Sequence, residues 1–294
     1  MAKNKEKKLK RISRAGLARS VGGSVFNFLV LCVIAAFMVL PLLYVVSNAF
    51  KPLDEIFVYP PRLYVINPTI DNFTNLASLM SSSWIPFSRY IFNSVFITAV
   101  ATFLQIIFAS MAAYVLEKRE FPGRKIFFKL VVTSLMFSTA VTAIPNYIIM
   151  NSLGIVNTYF ALILPAAASS MGLYLMKQFM TTSIPNAVLE AARVDGANEF
   201  LIFWRIVMPL VKPAWLTLII FAFQSIWATT GNGLIYSETM KPLNYALNQV
   251  VTGGISRTGS AAAVAFIMLL PPLTVFIISQ SNILNTMASS GIKE

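Results

Sequence analysis

Six long apolar stretches alternate with polar segments along the chain. A helix needs about 20 mostly apolar residues to cross the hydrocarbon interior of a bilayer. We therefore predict an all-α polytopic membrane protein with six transmembrane helices. The predicted spans are Val25–Val46, Tyr90–Leu116, Leu130–Asn151, Thr158–Met176, Ala214–Ala228 with its flanks, and Ser260–Asn282.

Polar segments divide this membrane domain from its tails and loops. The first large loop contains five prolines between Ser47 and Arg89, so we expect an ordered loop rather than a flexible linker. The predicted divisions are a basic tail at 1–24, a membrane domain at 25–284 with external loops at 47–89 and 229–259 and a further polar loop at 186–210, and a tail at 285–294.

The distribution of positive charge predicts the orientation. Six spans place both termini on one side, and Lys and Arg accumulate in cytoplasmic segments of membrane proteins. Placing the tails, 117–129 and 177–213 in the cytoplasm puts 18 of the 23 Lys and Arg residues there. We predict a plasma-membrane protein with cytoplasmic termini. The N-terminal basic cluster has no interleaved aromatic residues, so we expect it to meet membrane lipid and not nucleic acid.

Composition excludes several functional classes. The chain is 57% hydrophobic and only 12% charged, against about 25% charged residues in soluble domains. One cysteine and no histidine leave no expected metal site or histidine base. The predicted span interiors contain no Asp, Glu, Lys, Arg or His, which disfavours both ion-coupled transport and membrane catalysis. No GxxxxGK[ST] motif is present, so we predict no enzyme activity and no cofactor in this chain.

One polar segment, Glu190–Pro213, interrupts the apolar pattern with five charged residues between Glu190 and Arg205. Such a segment must lie in water beside the membrane, where it can form a docking surface. The alternative is a pair of amphipathic helices that holds the loop against lipid headgroups.

Two short helices are predicted for this segment. Ile184-Pro185 favours a helix start, because proline is tolerated in the first turn, and Asn186–Val194 then forms the first helix. Gly196 can adopt the left-handed conformation that ends it, and Asn198 can cap the second helix. Met208-Pro209 is expected to stop that second helix. Its predicted apolar stripe consists of Phe200, Phe203, Trp204 and Val207.

The same segment resembles the EAA loop of ABC importer permeases. That pattern reads E-A-A, two residues, D-G-A, then an aromatic and isoleucine run that closes on proline. Met208 stands where leucine is usual. Ten positions agree in order and spacing: Glu190, Ala191, Ala192, Asp195, Gly196, Ala197, Phe203, Ile206, Pro209 and Pro213.

The resemblance implies a cytoplasmic coupling helix that seats in a groove on a separate ATPase subunit. It also implies the type I ABC importer fold. The residues expected to couple to the ATPase are Glu190, Ala191, Ala192, Asp195, Gly196, Ala197, Phe203 and Pro209. ATP and magnesium are then expected to bind to the partner ATPase.

A wider resemblance indicates the maltose and oligosaccharide class of binding-protein-dependent permeases. It rests on SLGIVNTYFALILPA and LMKQFMTTSIPNAVLEAARVDGA. The implied partners are a second permease, two ATP-binding subunits and an external solute-binding protein that the loop at 229–259 contacts. Trp227 is kept, but the asparagine that usually follows it is not. The tail residues that resemble those reaching the ATPase dimer are Ser289, Ser290, Gly291 and Lys293.

Uncharged polar side chains within the spans suit a neutral polyol, which needs hydrogen bonds and a flat apolar face. The candidate substrate-pathway residues are Gln105, Asn146, Gln224 and Trp227. The alternative is that such groups bond to neighbouring helices.

These features predict the permease subunit of an ATP-driven importer of sugars or oligosaccharides. Two alternatives stay open from the sequence: a permease for another solute, such as a peptide or an anion, and a membrane scaffold that docks a cytoplasmic partner without transport.

Overall fold

The computed structural model describes residues 21–81, 84–231 and 233–291, and these fold into helices joined by turns, with no strand among them. The helical segments in chain order are α1 (Val21–Ala49), α2 (Leu53–Ile56), α3 (Asp71–Ser81), α4 (Phe87–Lys118), α5 (Arg124–Ser134), α6 (Thr139–Ser152), α7 (Phe160–Ala167), α8 (Ser170–Ser183), α9 (Asn186–Val194), α10 (Glu199–Leu210), α11 (Lys212–Trp227), α12 (Leu243–Val251) and α13 (Thr258–Gly291).

Four helical stretches are long and apolar enough to cross a membrane. Two bent helix pairs raise the number to six if each pair counts as one span. This agrees with the predicted all-α polytopic protein. The four stretches are Gly22–Ala49, Phe87–Lys118, Phe160–Ser183 and Ile255–Gln280, and the pairs are α5 with α6 and α10 with α11.

The predicted third span is wrong as a single helix. α5 and α6 meet at an angle of 115° across a break of four residues. Ser138 has an extended backbone before α6, at the helix N-cap position that serine favours. The Ser134 hydroxyl at the end of α5 bonds to Ser170 on α8 at 2.7 Å. No glycine or proline between 130 and 144 marks this break, so the apolar run concealed it.

α4 lies at the centre of the bundle and packs against α7, α8 and α11. α8 approaches α4 closely because Gly172 has no side chain, and a Cβ there would lie 3.1 Å from Nε2 of Gln105. α1 contacts α13 but leaves its apolar side chains outward along its length. A membrane interior or a second membrane subunit suits such a surface.

α9 and α10 lie at the end of the bundle where α4 ends. We call the end where α4 begins the opposite end. Asn72 of α3 fastens the 47–89 loop here by donating to the carbonyls of Ala49 and Lys51 at 3.0 and 2.7 Å. Asn157, with a left-handed φ of 63°, accepts from the amides of Tyr236 and Ser237. These hydrogen bonds fasten the described parts of both large loops to the bundle.

Asn93 of α4 anchors the loop at 229–259 from inside the bundle. Its side chain is fully buried, and its amide nitrogen donates to the carbonyls of Thr239 and Lys241 at 2.9 and 2.8 Å. Its amide oxygen accepts from the Tyr159 hydroxyl at 2.8 Å. All the hydrogen-bonding positions of this amide except one acceptor site are thus used.

Parts of both predicted tails fall outside the described residues. Residues 1–20 of the N-terminal tail do so, and so does Lys293 of the C-terminal tail. Ser289, Ser290 and Gly291 are described only as backbone at the end of α13. The expected contact of this tail with an ATPase therefore stays a prediction.

Candidate functional site: a helical hairpin tied to the central span

The structure confirms the predicted start and turn of the segment that resembles the EAA loop. After that resemblance, we call α9 and α10 with their connection the EAA hairpin. α9 covers Asn186–Val194, as predicted. Gly196 follows with φ of 81°, in the left-handed region. The Asn198 side chain caps α10 by accepting from the amide of Leu201 at 2.8 Å. The capping side chain and the glycine are the reasons the chain reverses here.

α10 ends at Leu210, one residue beyond the predicted stop at Met208-Pro209. Residues Phe203–Val207 form a π-helical turn, in which the Met208 amide donates to the carbonyl of Phe203. The wider turn accommodates Pro209, which lacks an N–H and would clash in a regular helix. The bend of 79° comes after Leu210, where Trp215 of α11 donates to the carbonyl of Met208 at 3.1 Å.

The predicted apolar stripe divides into two faces. Phe203 and Val207 are buried against the core, whereas Phe200 is 70% exposed and Trp204 is 39% exposed. The Phe200 and Trp204 rings pack edge to face at 6.1 Å. The hairpin thus presents two aromatic rings on its outer surface.

The eight predicted coupling residues also divide between surface and interior. Ala192 and Phe203 are buried and Ala197 is partly buried, all against one core cluster, so Ala192 does not lie on the surface that a partner would contact. Neither Glu190 nor Asp195 has an ion-pair partner among the described residues. The exposed members are Glu190, Ala191, Asp195, Gly196 and Pro209.

Glu199 joins the hairpin to the central span, a role that the sequence did not reveal. Its carboxylate accepts from the Tyr114 hydroxyl of α4 at 2.6 Å and from Nε of Arg193 at 2.9 Å. It also pairs with Arg119, the residue after α4. The hydrogen bond that Arg193 donates to Glu199 raises the pKa of the Arg193 guanidinium. We call Glu199, Tyr114, Arg119 and Arg193 the Glu199 cluster.

A second link joins the end of α4 to the start of α9. Lys118 donates to the Ile184 carbonyl at 2.7 Å and to Oδ1 of Asn186 at 3.0 Å. Glu117 beside it pairs with Lys177 of α8 at 2.8 Å. Both helices of the hairpin are therefore fastened to the same end of α4, and a displacement of one requires the other to move or the bonds to break.

The four candidate substrate-pathway residues do not share one site. Gln105 is buried between α4 and α8, Asn146 is half-buried on α6, and Gln224 is exposed on α11. Trp227 is buried, stacks on Phe223 at 5.6 Å, and lines an apolar cavity of about 500 Å³ between α4, α11 and α13. The described lining of that cavity includes none of the other three.

A family model described as the binding-protein-dependent transport system inner membrane component matches residues 105–288. The chain belongs to this family. The matched part of this transport component includes the EAA hairpin and the last span. The family is one of membrane components of transport systems, which agrees with the predicted class of protein.

Relatives of this transport component span nearly its whole length. It is 32% identical over 290 residues to Protein LplC of Bacillus subtilis, with 92% of this chain and 94% of the relative covered. It is 30% identical over 269 residues to the polygalacturonan/rhamnogalacturonan transport system permease protein YtcP of the same organism, covering 86% and 91%. The arabinooligosaccharides permease protein AraQ of B. subtilis is 29% identical over 265 residues, covering 87% and 93%.

A solved structure has a similar fold. A chain of a bacterial ABC transporter involved in import of the acidic polysaccharide alginate superposes with a TM-score of 0.74. The match covers 90% of this chain and 98% of that chain at 22% identity. At this identity the likeness concerns the fold, which is that of an ABC importer permease.

Proposed function

We propose that this transport component is a permease subunit of an ATP-driven importer of sugars or oligosaccharides. The observation that supports the proposal is the EAA hairpin, which is bonded to α4 and exposes two aromatic rings and two carboxylates that have no ion-pair partner among the described residues. The names of its relatives support the substrate class, since YtcP is named for polygalacturonan and AraQ for arabinooligosaccharides.

The proposed orientation has both termini and the hairpin in the cytoplasm of the cell. It is supported by the distribution of Lys and Arg in the sequence. The opposite end of the bundle then faces an external solute-binding protein. A second permease completes the pathway, and lipid or that permease covers α1.

Two ATP-binding subunits are proposed to supply the energy, with ATP and magnesium bound there. One of them would seat against Glu190, Asp195, Phe200 and Trp204. Its movement would reach α4 through the Glu199 cluster and through Lys118, because both links join the hairpin to that helix. Movement of α4 would then open the bundle alternately to the two sides of the membrane.

Copurification tests the proposal. The tagged full chain, extracted from its native membrane in mild detergent, is expected to bring down a nucleotide-binding subunit and a second permease. The purified complex in vesicles should take up an oligosaccharide only when ATP is supplied. Recovery of neither subunit would favour a scaffold, and ATP-driven uptake of peptides or inorganic anions alone would contradict the sugar assignment.

Gly196 offers a matched pair of substitutions in the hairpin. A Cβ at Gly196 would meet no atom within 4 Å, so the backbone conformation alone decides what is tolerated. Gly196→Val is expected to cost about 1–3 kcal/mol in the left-handed region, displace the docking surface and reduce ATP-driven uptake. Gly196→Asn should retain uptake, since asparagine adopts this conformation more readily. Equal uptake by the two variants would contradict the required turn.

A further inference from the structure

A second surface, at the opposite end of the bundle, contains a cavity of about 700 Å³. It lies between the start of α4 and the loop at 229–259, and Trp84, Ser88, Arg89, Phe92 and Thr239 are among its lining residues. Sites for small molecules measure about 300–1,000 Å³ and combine apolar surface with a few polar groups. The volume and the mixed lining of this cavity lie within that range, and the cavity is open to solvent on one side.

Arg89 supplies an uncompensated positive charge in this cavity. Its side chain is exposed, and it forms no ion pair with any residue that the structure describes. Its Nε donates to the Thr239 carbonyl at 3.2 Å, and its guanidinium carbon lies 6.0 Å from the centre of the Phe92 ring. These contacts orient the guanidinium and leave its two terminal nitrogens without a described protein acceptor.

The carboxylate of the adjoining loop does not neutralise Arg89. Glu238 is the one acidic residue between 229 and 259. It accepts from the Tyr90 hydroxyl at 2.9 Å and pairs with Lys241 at 2.9 Å. Lys241 in turn lies 3.7 Å from the centre of the Tyr245 ring. The guanidinium therefore stays available for an anionic ligand.

Aromatic rings flank this charge. Trp84 is fully exposed and Phe92 is 54% exposed. Flat apolar rings suit the C–H faces of sugar rings, and the hydroxyl of Ser88 adds a group that can donate or accept. An arginine binds a carboxylate through two parallel hydrogen bonds, an arrangement that selects planar anions. Rings and guanidinium together match a sugar that carries a carboxylate.

We propose that this cavity, which we call the Arg89 site, binds oligosaccharides that contain uronic acid, with the carboxylate on Arg89 and sugar rings against Trp84 and Phe92. The inference rests on the proposed function, because the site must face outward to meet an imported sugar. It goes further by assigning an acidic substrate class. The predicted span interiors carry no charge. The group that distinguishes acidic from neutral sugars would therefore be the Arg89 guanidinium, at the entrance of the bundle.

Binding measurements on the copurified complex in phosphatidylcholine nanodiscs test this site. The probes are trigalacturonate and its fully methyl-esterified form, which differ in charge but share the same sugar rings. The complex is expected to bind the acid about tenfold or more tightly than the ester, as for a hydrogen bond to a charged group. Arg89→Gln should abolish that preference and leave ester binding unchanged, and Arg89→Lys should retain part of it.

Matched variants separate the charge from the rings. Arg257→Gln removes another exposed arginine that lies outside the described lining and should leave the preference intact. Trp84→Ala should weaken binding of both probes about twofold to tenfold, and Trp84→Phe should weaken it less.

The outcomes distinguish this inference from the proposed function. A complex that binds both probes equally, or an Arg89→Gln variant that weakens both probes equally, overturns the Arg89 site. If anionic lipid and not sugar occupied Arg89, the complex would bind both probes equally. ATP-driven uptake by the same complex without a preference for acidic sugars contradicts this inference alone. Absence of uptake of any oligosaccharide contradicts the proposed function, whereas the binding result still decides the Arg89 site.

Discussion

Replacement of Glu199 by glutamine is expected to reduce the sugar taken up per ATP hydrolysed by about fivefold or more, the range of coupling between sites in allosteric proteins. Glutamine keeps the shape of the side chain but removes the charge that holds Arg119 and Arg193. The hairpin would then move without carrying α4 with it. Uptake and ATP hydrolysis, measured on the same vesicles, give the ratio directly.

Two further variants make the Glu199 result specific. Tyr114→Phe removes one hydrogen bond to Glu199 and should lower the ratio less than Glu199→Gln does. Glu120→Gln neutralises an exposed carboxylate nearby that has no described ion-pair partner, and should leave the ratio unchanged. A Glu199→Gln complex with normal coupling, or an equal fall for Glu120→Gln, would remove the Glu199 cluster from the coupling route.

Local rules were sufficient to predict much of the hairpin. The bounds of α9, the left-handed Gly196 and the Asn198 cap all depend on residues within a few positions of one another. The apolar spans follow equally directly, because the length needed to cross a bilayer is fixed. Resemblance added the docking role, which local physics leaves open between a partner and the membrane surface.

Contacts between distant residues could not be predicted in this way. Tyr114 and Glu199 are 85 positions apart, and Lys118 and Ile184 are 66 apart, so no spacing in the sequence indicates that they meet. The π-helical turn before Pro209 could not be predicted either. Proline alone does not specify such a turn, and the Phe203 and Val207 side chains at its two ends pack against distant parts of the core.

The polar residues of the spans show a further limit of sequence patterns. Gln105 and Trp227 are of types that suit a sugar, but α4 and α11 direct them to different neighbours. Asn93 is also an uncharged polar residue of a span, and it anchors a loop from inside the bundle. Arg89 belongs to the five Lys and Arg residues outside the predicted cytoplasmic segments, and the charge distribution alone assigns it no further role. Residue type predicts which chemistry is present, and packing decides where it is used.

Asn93→Asp is expected to be strongly destabilising although the two side chains have nearly the same shape. The amide nitrogen of Asn93 donates to two backbone carbonyls, and an ionised aspartate would turn an acceptor toward both of them. A fully buried charge without a partner costs about 3–5 kcal/mol. We expect a lower Tm for the purified protein and faster proteolysis within the loop at 229–259.

Asn157→Asp is the matched control, because the same chemical change is made where the asparagine side chain accepts hydrogen bonds instead of donating them. There the side-chain oxygen accepts from the amides of Tyr236 and Ser237 at 2.9 and 2.7 Å, and aspartate can still accept both. The left-handed φ of 63° is also tolerated by aspartate. The control should keep its Tm and loop protection. Equal destabilisation of the two variants would mean that added charge, and not the lost donor at Asn93, explains the effect.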